Sequence, residues 1–308
     1  MNLEFMNLVL DKCEFPEDAK VYFRDLADSV IAQGLEAEFD SIVDTYFECG
    51  FNSGRMDEIL LAFKDKAGNH SYSYWMLMLL LATERAKPLY DKRGVSEEVF
   101  WDTFTDLRSK SYECKEIYGY WGTFVGFWYG LFMRCAIIKF GRLEYQDTVY
   151  DKDTPRIYGD IKVEKGRRML GIHIPSNAGP LDYESRMKSY KMAYDFYSKE
   201  LGQTDALVCD CGSWLLYPPY KNAFHKNSNV VDFMKDFDIC HIHDDKPGDF
   251  GDAWRLFGDS YEKPLEEWYE DTSMRRSFKK YFLDGGLPGE GFGYLVFDGE
   301  KLLTRKED

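Results

Sequence analysis

The chain has 308 residues, enough for two cores, since single cores stop growing near about 250–300 residues. A hydrophobic share of 44% with 17% aromatics excludes a disordered chain and predicts bulky cores. The formal net charge of -15 excludes a general nucleic-acid role, which needs neutralising Lys and Arg, and disfavours an anionic membrane surface.

Residues 1–150 read as helices. From Glu17 to Ala32, Val21, Leu26 and Val30 give a rough helical period. Leu35, Phe39, Ile42, Val43, Tyr46 and Phe47 give a cleaner one, stopped at Gly50 and Asn52. Arg55 to Phe63 is a short helix, and the next runs from about Tyr72 to Tyr90. Ser96 then opens a helix whose first turn carries Glu97 and Glu98, where the helix dipole favours acids. Residues 74–82 are too short to span a membrane. Residues 121–140 are long enough but hold Arg134 and Lys139, so they predict a buried helix. Arg134 in that helix calls for an acidic partner, with Glu84, Glu97 and Glu98 in view.

The pattern changes after Tyr150. Residues 151–155 are polar and end in Pro155, which predicts a linker and a division into 1–150 and 151–308. Ile157, Gly159, Ile161 and Val163 alternate with polar residues as in a strand, and Arg168 to Ile174 gives a second strand of the same hairpin. After the turn-rich loop 175–181, Asp182 caps a helix that Gly202 ends. Its apolar stripe is Tyr183, Met187, Tyr190, Tyr194, Tyr197 and Leu201. Ala206 to Cys211 is nearly all apolar, as in a central strand. Asp238 to His243 is a further strand, Thr272 to Leu283 a helix, and a terminal hairpin turns at Asp298 and Gly299.

The seven cysteines are odd in number and lack a Cys-x-x-Cys pair. The start, MNLEFMNLVL, lacks a basic signal-peptide region. Free thiols in a reducing cytoplasm follow. His241 and His243 share a strand face at a metal-ligand spacing, but no longer metal motif accompanies them, so no metal is expected.

The strand–loop–helix at 168–201 is the candidate ligand site, because backbone N–H groups at a helix start bind anions. Ser176, Asn177, Ala178 and Gly179 present such groups, and Arg186, Lys188 and Lys191 follow as basic side chains. His173 alternates with Ile172 and Ile174 and is the candidate base. Cys209 and Cys211 share a strand face, which makes Cys211 a nucleophile candidate, with Ser213 just beyond. Packing of small thiols in a sheet is the plainer reading. The glycine-rich run 285–293 lies between helix and strand, the reverse of a nucleotide loop, and reads as a cap and a close backbone approach.

Three segments resemble a known family. They are Trp121 to Tyr145 with its Gly141-Arg142-Leu143, then Gly171 to Pro175 with Gly179-Pro180-Leu181 and Cys211 to Leu216, and last Thr272 to Arg276 with the glycines of 285–293. Together they are similar to a bacterial family of predicted acyltransferases that join a helical N-acyltransferase-type domain to a GNAT-like domain. The resemblance implies an α plus mixed α/β fold and transfer of an acyl group from acyl-coenzyme A to a small-molecule acceptor, an amine. It also implies that the strand ending at His173 and Ile174 splays from the strand at 206–211, admitting the pantetheine arm. Pyrophosphate would then sit over Ser176 to Gly179, unless Leu181 or Tyr183 plugs the gap. Phe140, Met274 and Arg275 depart from the family pattern. The Arg/Gln-x-x-Gly-x-Gly/Ala pyrophosphate loop of ordinary GNAT enzymes is also missing, which leaves a non-catalytic binding module as the alternative.

Overall fold

The computed structural model describes residues 1–306 apart from 177 and 226. The chain divides into two compact units, Met1–Ile138 and Lys139–Asp308.

The first unit is built on helices α1 (Leu3–Lys12), α2 (Glu17–Ala32), α3 (Glu36–Glu48), α4 (Ser53–Ala67), α5 (Ser71–Lys92) and α6 (Glu97–Tyr118). Local chemistry sets several of their starts. The Asn52 side chain accepts from the Arg55 N–H at 3.0 Å and the Ser96 hydroxyl from the Val99 N–H at 3.3 Å, each satisfying an orphan donor. α5 is apolar all round from Tyr74 to Ala82, and every one of those residues is buried. Such a helix has to be the centre of a bundle. α1, α2, α3, α4 and α6 all pack against it.

Residues 121–140 do not form the single buried helix the sequence predicts. A 3₁₀ turn at Gly126–Tyr129 leads into the short α7 (Gly130–Met133), and strand β1 (Ile137–Phe140) follows. The glycines explain the break, since a Cβ at Gly122 would lie 2.6 Å from the Tyr72 carbonyl carbon and one at Gly126 2.5 Å from the Trp75 ring. Arg134 ends α7 exposed, with no ion pair among the described residues, so the buried pairing expected for it is wrong.

In the second unit β2 (Leu143–Val149), β3 (Arg156–Tyr158), β4 (Ile161–Val163) and β5 (Arg168–His173) precede α8 (Tyr183–Leu201) and β6 (Leu207–Ser213). Then come α9 (Asn229–Lys235), β7 (Asp238–Asp244), α10 (Ala253–Phe257), α11 (Ser273–Leu283) and β8 (Gly289–Phe297). Among the described residues six strands form one sheet in the order β1-β2-β5-β6-β8-β7, and β3 and β4 form a separate pair. The helical reading of 1–150 therefore fails at its end, where β1 and β2 belong to the sheet. The expected hairpin is also re-partnered. The 157–163 segment folds on itself, while β5 pairs antiparallel with β2.

β5 and β6 run parallel, which requires a crossover, and α8 is that crossover. The Asp182 carboxylate accepts from the Ser185 N–H at 2.8 Å, and Gly202 closes the helix with φ +62. The buried residues of α8 are Arg186, Ser189, Tyr190, Ala193, Tyr197 and Ser198, so Tyr183, Met187, Tyr194 and Leu201 of the expected stripe fall outside them. Ser189 meets Tyr145 of β2 at 2.8 Å, which fixes the sheet face that α8 covers. On the other face Tyr150, Val163, Met169, Val208, Tyr294 and Val296 form a core with Tyr158 and Ile161 of the small hairpin. In β8 the glycines are close approaches: a Cβ at Gly291 would lie 2.0 Å from the Leu216 carbonyl oxygen.

Candidate active site

Parallel pairing between β5 and β6 has two rungs, Leu170 with Cys209 and Gly171 with Asp210. Beyond them β5 continues to His173 against Glu144 of β2, and β6 continues to Ser213 against Gly291 of β8. The two strands thus part after Gly171 and Asp210, leaving the edges at His173 and Cys211 without a ladder between them. The ladder between them ends where the sequence places the splay.

Strand alternation sorts the side chains around the split. Glu144, Gln146, Thr148, Gly171, His173 and Asp210 share one face by register. His173 Nε2 lies 2.9 Å from Gln146 Oε1. Tyr145, Ile172, Cys209 and Cys211 take the other face, beneath α8. His173 and Cys211 are therefore on opposite sides of the sheet, and the catalytic trio of His173, Cys211 and Ser213 is not assembled. Cys211 is 2% exposed, and burial, followed by the Asp210 charge, pushes its thiol far above the usual range. A thiolate nucleophile there is disfavoured. The Ser213 hydroxyl accepts from the Leu215 N–H at 3.1 Å and caps the 3₁₀ turn at Trp214–Leu216.

Asp210 of β6, which the sequence does not single out, is the most perturbed carboxyl in this region. Burial, with Asp151 adding, pushes it up to about 6. Arg142 was missed as a site residue too. It is 7% exposed and donates to the Pro175 carbonyl at 3.0 Å, which ties the loop to β2. Burial lowers it to about 10, against the opposing pull of Glu144. The period-two run Arg142, Glu144, Gln146 is the available signal, hidden because residues 1–150 read as helices.

In the 175–181 loop, Ser176 and Gly179 are exposed and Ala178 is half-buried, while Asn177 lies outside the described residues. Gly179 has φ +83, a conformation open to glycine. The expectation that Arg186 meets a ligand phosphate is overturned. Arg186 is 0% exposed and donates to Asp236 and Asp232 at 2.7 Å each and to the Leu181 carbonyl at 2.7 Å. The arrangement makes Arg186 an internal brace that holds the loop's end. Lys188, two residues further along the helix, is exposed, and Lys191 pairs with Asp195 at 2.5 Å. Tyr183 is 45% exposed and lies with its ring 4.6 Å from the Arg305 guanidinium.

His241 and His243 lie exposed on the edge strand β7, and His243 sits 3.3 Å from Asp245. Among the described residues no group of three His, Cys, Asp or Glu side chains is placed to hold a metal. No helix among them is long and apolar enough to cross a membrane.

Residues 4–135 match the N-acyltransferase N-terminal domain family, and residues 137–295 match the GNAT-like C-terminal domain family. No curated protein matches the chain. Among solved structures, an acyltransferase in complex with decanoyl-CoA and teicoplanin is similar, with TM-score 0.72 and 18% identity over 96% of this chain and 88% of that one. An acyltransferase mutant in complex with octanoyl-CoA gives TM-score 0.71 and 18% identity over the same shares. An acyltransferase in complex with decanoyl-CoA gives TM-score 0.66 and 17% identity, covering 94% of this chain and 98% of that one. At these identities the likeness speaks for the fold, and the two domain matches in their order carry the assignment: the chain belongs to the family that joins an N-acyltransferase N-terminal domain to a GNAT-like C-terminal domain.

Proposed function

We propose that this protein transfers an acyl group from acyl-coenzyme A to the amine of a small molecule. The observation that carries the reading is the parting of β5 and β6 after Gly171 and Asp210, which leaves strand edges for an extended amide-bearing arm to join. The loop 175–181 and the start of α8 offer backbone N–H groups for a pyrophosphate, with Lys188 nearby as a positive charge. Asp182 already occupies one of the helix's free donors, so the loop N–H groups and Lys188 bear more of that task. His173 sits beside the split with a hydrogen-bond partner in Gln146, which suits a base that takes the amine's proton. Positioning of amine against thioester supplies the rest of the rate. The similar structures were solved with decanoyl-CoA and octanoyl-CoA, which supports a medium-chain acyl donor. The cysteines are free, in keeping with a cytoplasmic site of action.

The test is calorimetry with decanoyl-CoA, followed by thiol release with amines. Decanoyl-CoA is expected to bind, and Lys188→Glu to weaken it several-fold at low salt and less at high salt. His173→Gln should keep binding and lose transfer. No binding of decanoyl-CoA by the wild type refutes the reading. Binding with no transfer to any amine favours the non-catalytic module, which the missing pyrophosphate motif also suggests.

A further inference from the structure

The outer edge of the sheet carries a groove that the acyl-transfer reading does not use. β7 ends the strand order and is bonded to β8 on one side. Among the described residues no backbone group pairs with Ile239 to His243 on the other side. The groove, of about 380 Å³, touches Ile239, Cys240, His241 and Ile242 in succession. Consecutive strand residues point to opposite faces, so a hollow that meets four in a row runs along the strand's edge rather than over one face. Met234, Phe237 and Pro218 give it an apolar wall, and Ile242 on the strand is 48% exposed. Its charge is of one sign. Lys221, Lys235 and Lys306 line it and no described Asp or Glu does, in a chain of net charge -15. The acids at the two ends of β7 are already held, Asp238 by Arg156 at 3.0 Å and Tyr158 at 2.9 Å, and Asp244 by Tyr217 at 2.5 Å. Lys306 stands 3.8 Å from Asp238, too far for a hydrogen bond. An exposed edge strand is a template for another strand, and proteins commonly blunt it with lysines on the edge itself. β7 carries a bulge between Ile239 and His241 but no lysine, and the lysines stand across the groove instead.

We propose that the β7 edge is a docking site for an extended acidic segment of a partner protein, which adds to the sheet as a further strand. The proposal stands apart from the acyl-transfer reading and holds whether or not coenzyme A binds. In strand addition the main chain supplies affinity and alternate side chains supply specificity. The segment's backbone bonds the outer N–H and C=O groups of β7. Its apolar side chains cover Met234 and Phe237, and its carboxylates meet Lys221, Lys235 and Lys306. An extended peptide is favoured over other anions because only a backbone matches a strand edge, and the net charge of -15 repels a polynucleotide. It is favoured over a second copy because a two-fold contact sets a patch against itself, which here places these lysines against their own counterparts.

The test uses the full chain and peptides of seven residues, the length of β7. The probe is acetyl-Glu-Val-Glu-Val-Glu-Val-Glu-amide. Its controls are the same peptide with Gln for every Glu and the acidic peptide N-methylated throughout, which removes its strand donors. At low salt the acidic peptide is expected to bind saturably, at least tenfold more tightly than either control, and to shift the amide resonances of Ile239 to His243. Raising the salt should narrow its lead over the Gln peptide. Lys221→Glu combined with Lys306→Glu should lower its affinity at least tenfold, with thermal unfolding checking that the fold is kept. The two control peptides decide the matter even where that variant fails to fold. No binding of the acidic peptide, equal binding of the Glu and Gln peptides, or full affinity of the N-methylated peptide overturns the proposal. Sedimentation showing a dimer that protects the β7 amides makes a second copy the occupant and overturns it too.

Discussion

Replacing Arg186 by Met separates a structural brace from a ligand contact. Arg186 and Asp236 are both 0% exposed, and the guanidinium makes three hydrogen bonds of 2.7 Å, to Asp236, Asp232 and the Leu181 carbonyl. Met fills similar space but leaves Asp236 a buried carboxylate short of its main counter-charge. Breaking a buried pair from one side costs about 3–5 kcal/mol. Asp236 keeps Arg305 and the Tyr190 hydroxyl at 3.0 Å, so the lower end applies, about 3 kcal/mol. In urea, at a slope of about 3 kcal/mol per molar, the midpoint of the second unit should fall by about 1 M. Asp236→Asn in the same chain removes the stranded charge, so the double variant should cost less than the sum of the singles by about 1–3 kcal/mol. A midpoint unchanged by Arg186→Met, or strictly additive singles, refutes the brace. A phosphate contact predicts the reverse pattern: unaltered unfolding and a salt-dependent loss of acyl-coenzyme A binding.

Three further outcomes follow from the geometry. Gly291→Ala places a methyl against the Leu216 backbone at 2.0 Å, and thermal unfolding should show a loss of about 3 kcal/mol or more. Asp210→Asn should stabilise the fold at pH 8, because burial raises this carboxyl to about 6 from an unfolded value of 3.8. The native state holds the proton more tightly, so wild-type stability falls as pH rises from about 4 through 6. The gain from Asn should reach about 1–3 kcal/mol above pH 7 and vanish below pH 4, and a pH-independent difference would contradict the cause assigned. Cys211→Ala should leave acyl transfer intact, and native Cys211 should resist iodoacetamide, since the thiol is buried on the face opposite His173.

The sequence by itself carries what is local. The α2 helix, the start of α6 at Ser96, the Asp182 cap and the Gly202 stop were legible because periodicity and capping are settled within a few residues. The central strand β6 was legible from its apolar run. The alternation that sets His173 apart from Ile172 and Ile174 was also readable, since strand geometry has a fixed period. Only the tertiary structure decided the partners. Nothing near Leu143 says that this run leaves a helical half to pair with residues 168–173, because strand pairing is settled between segments far apart in the chain. Arg186 reads as a surface cation one turn into a helix, and it becomes a buried brace only because Asp232 and Asp236 arrive from 46 and 50 residues away. Likewise His173 and Cys211 look like one site in sequence, and the sheet separates them. Which face a strand residue shares with another strand depends on the register between them, and that register exists only once the sheet has formed.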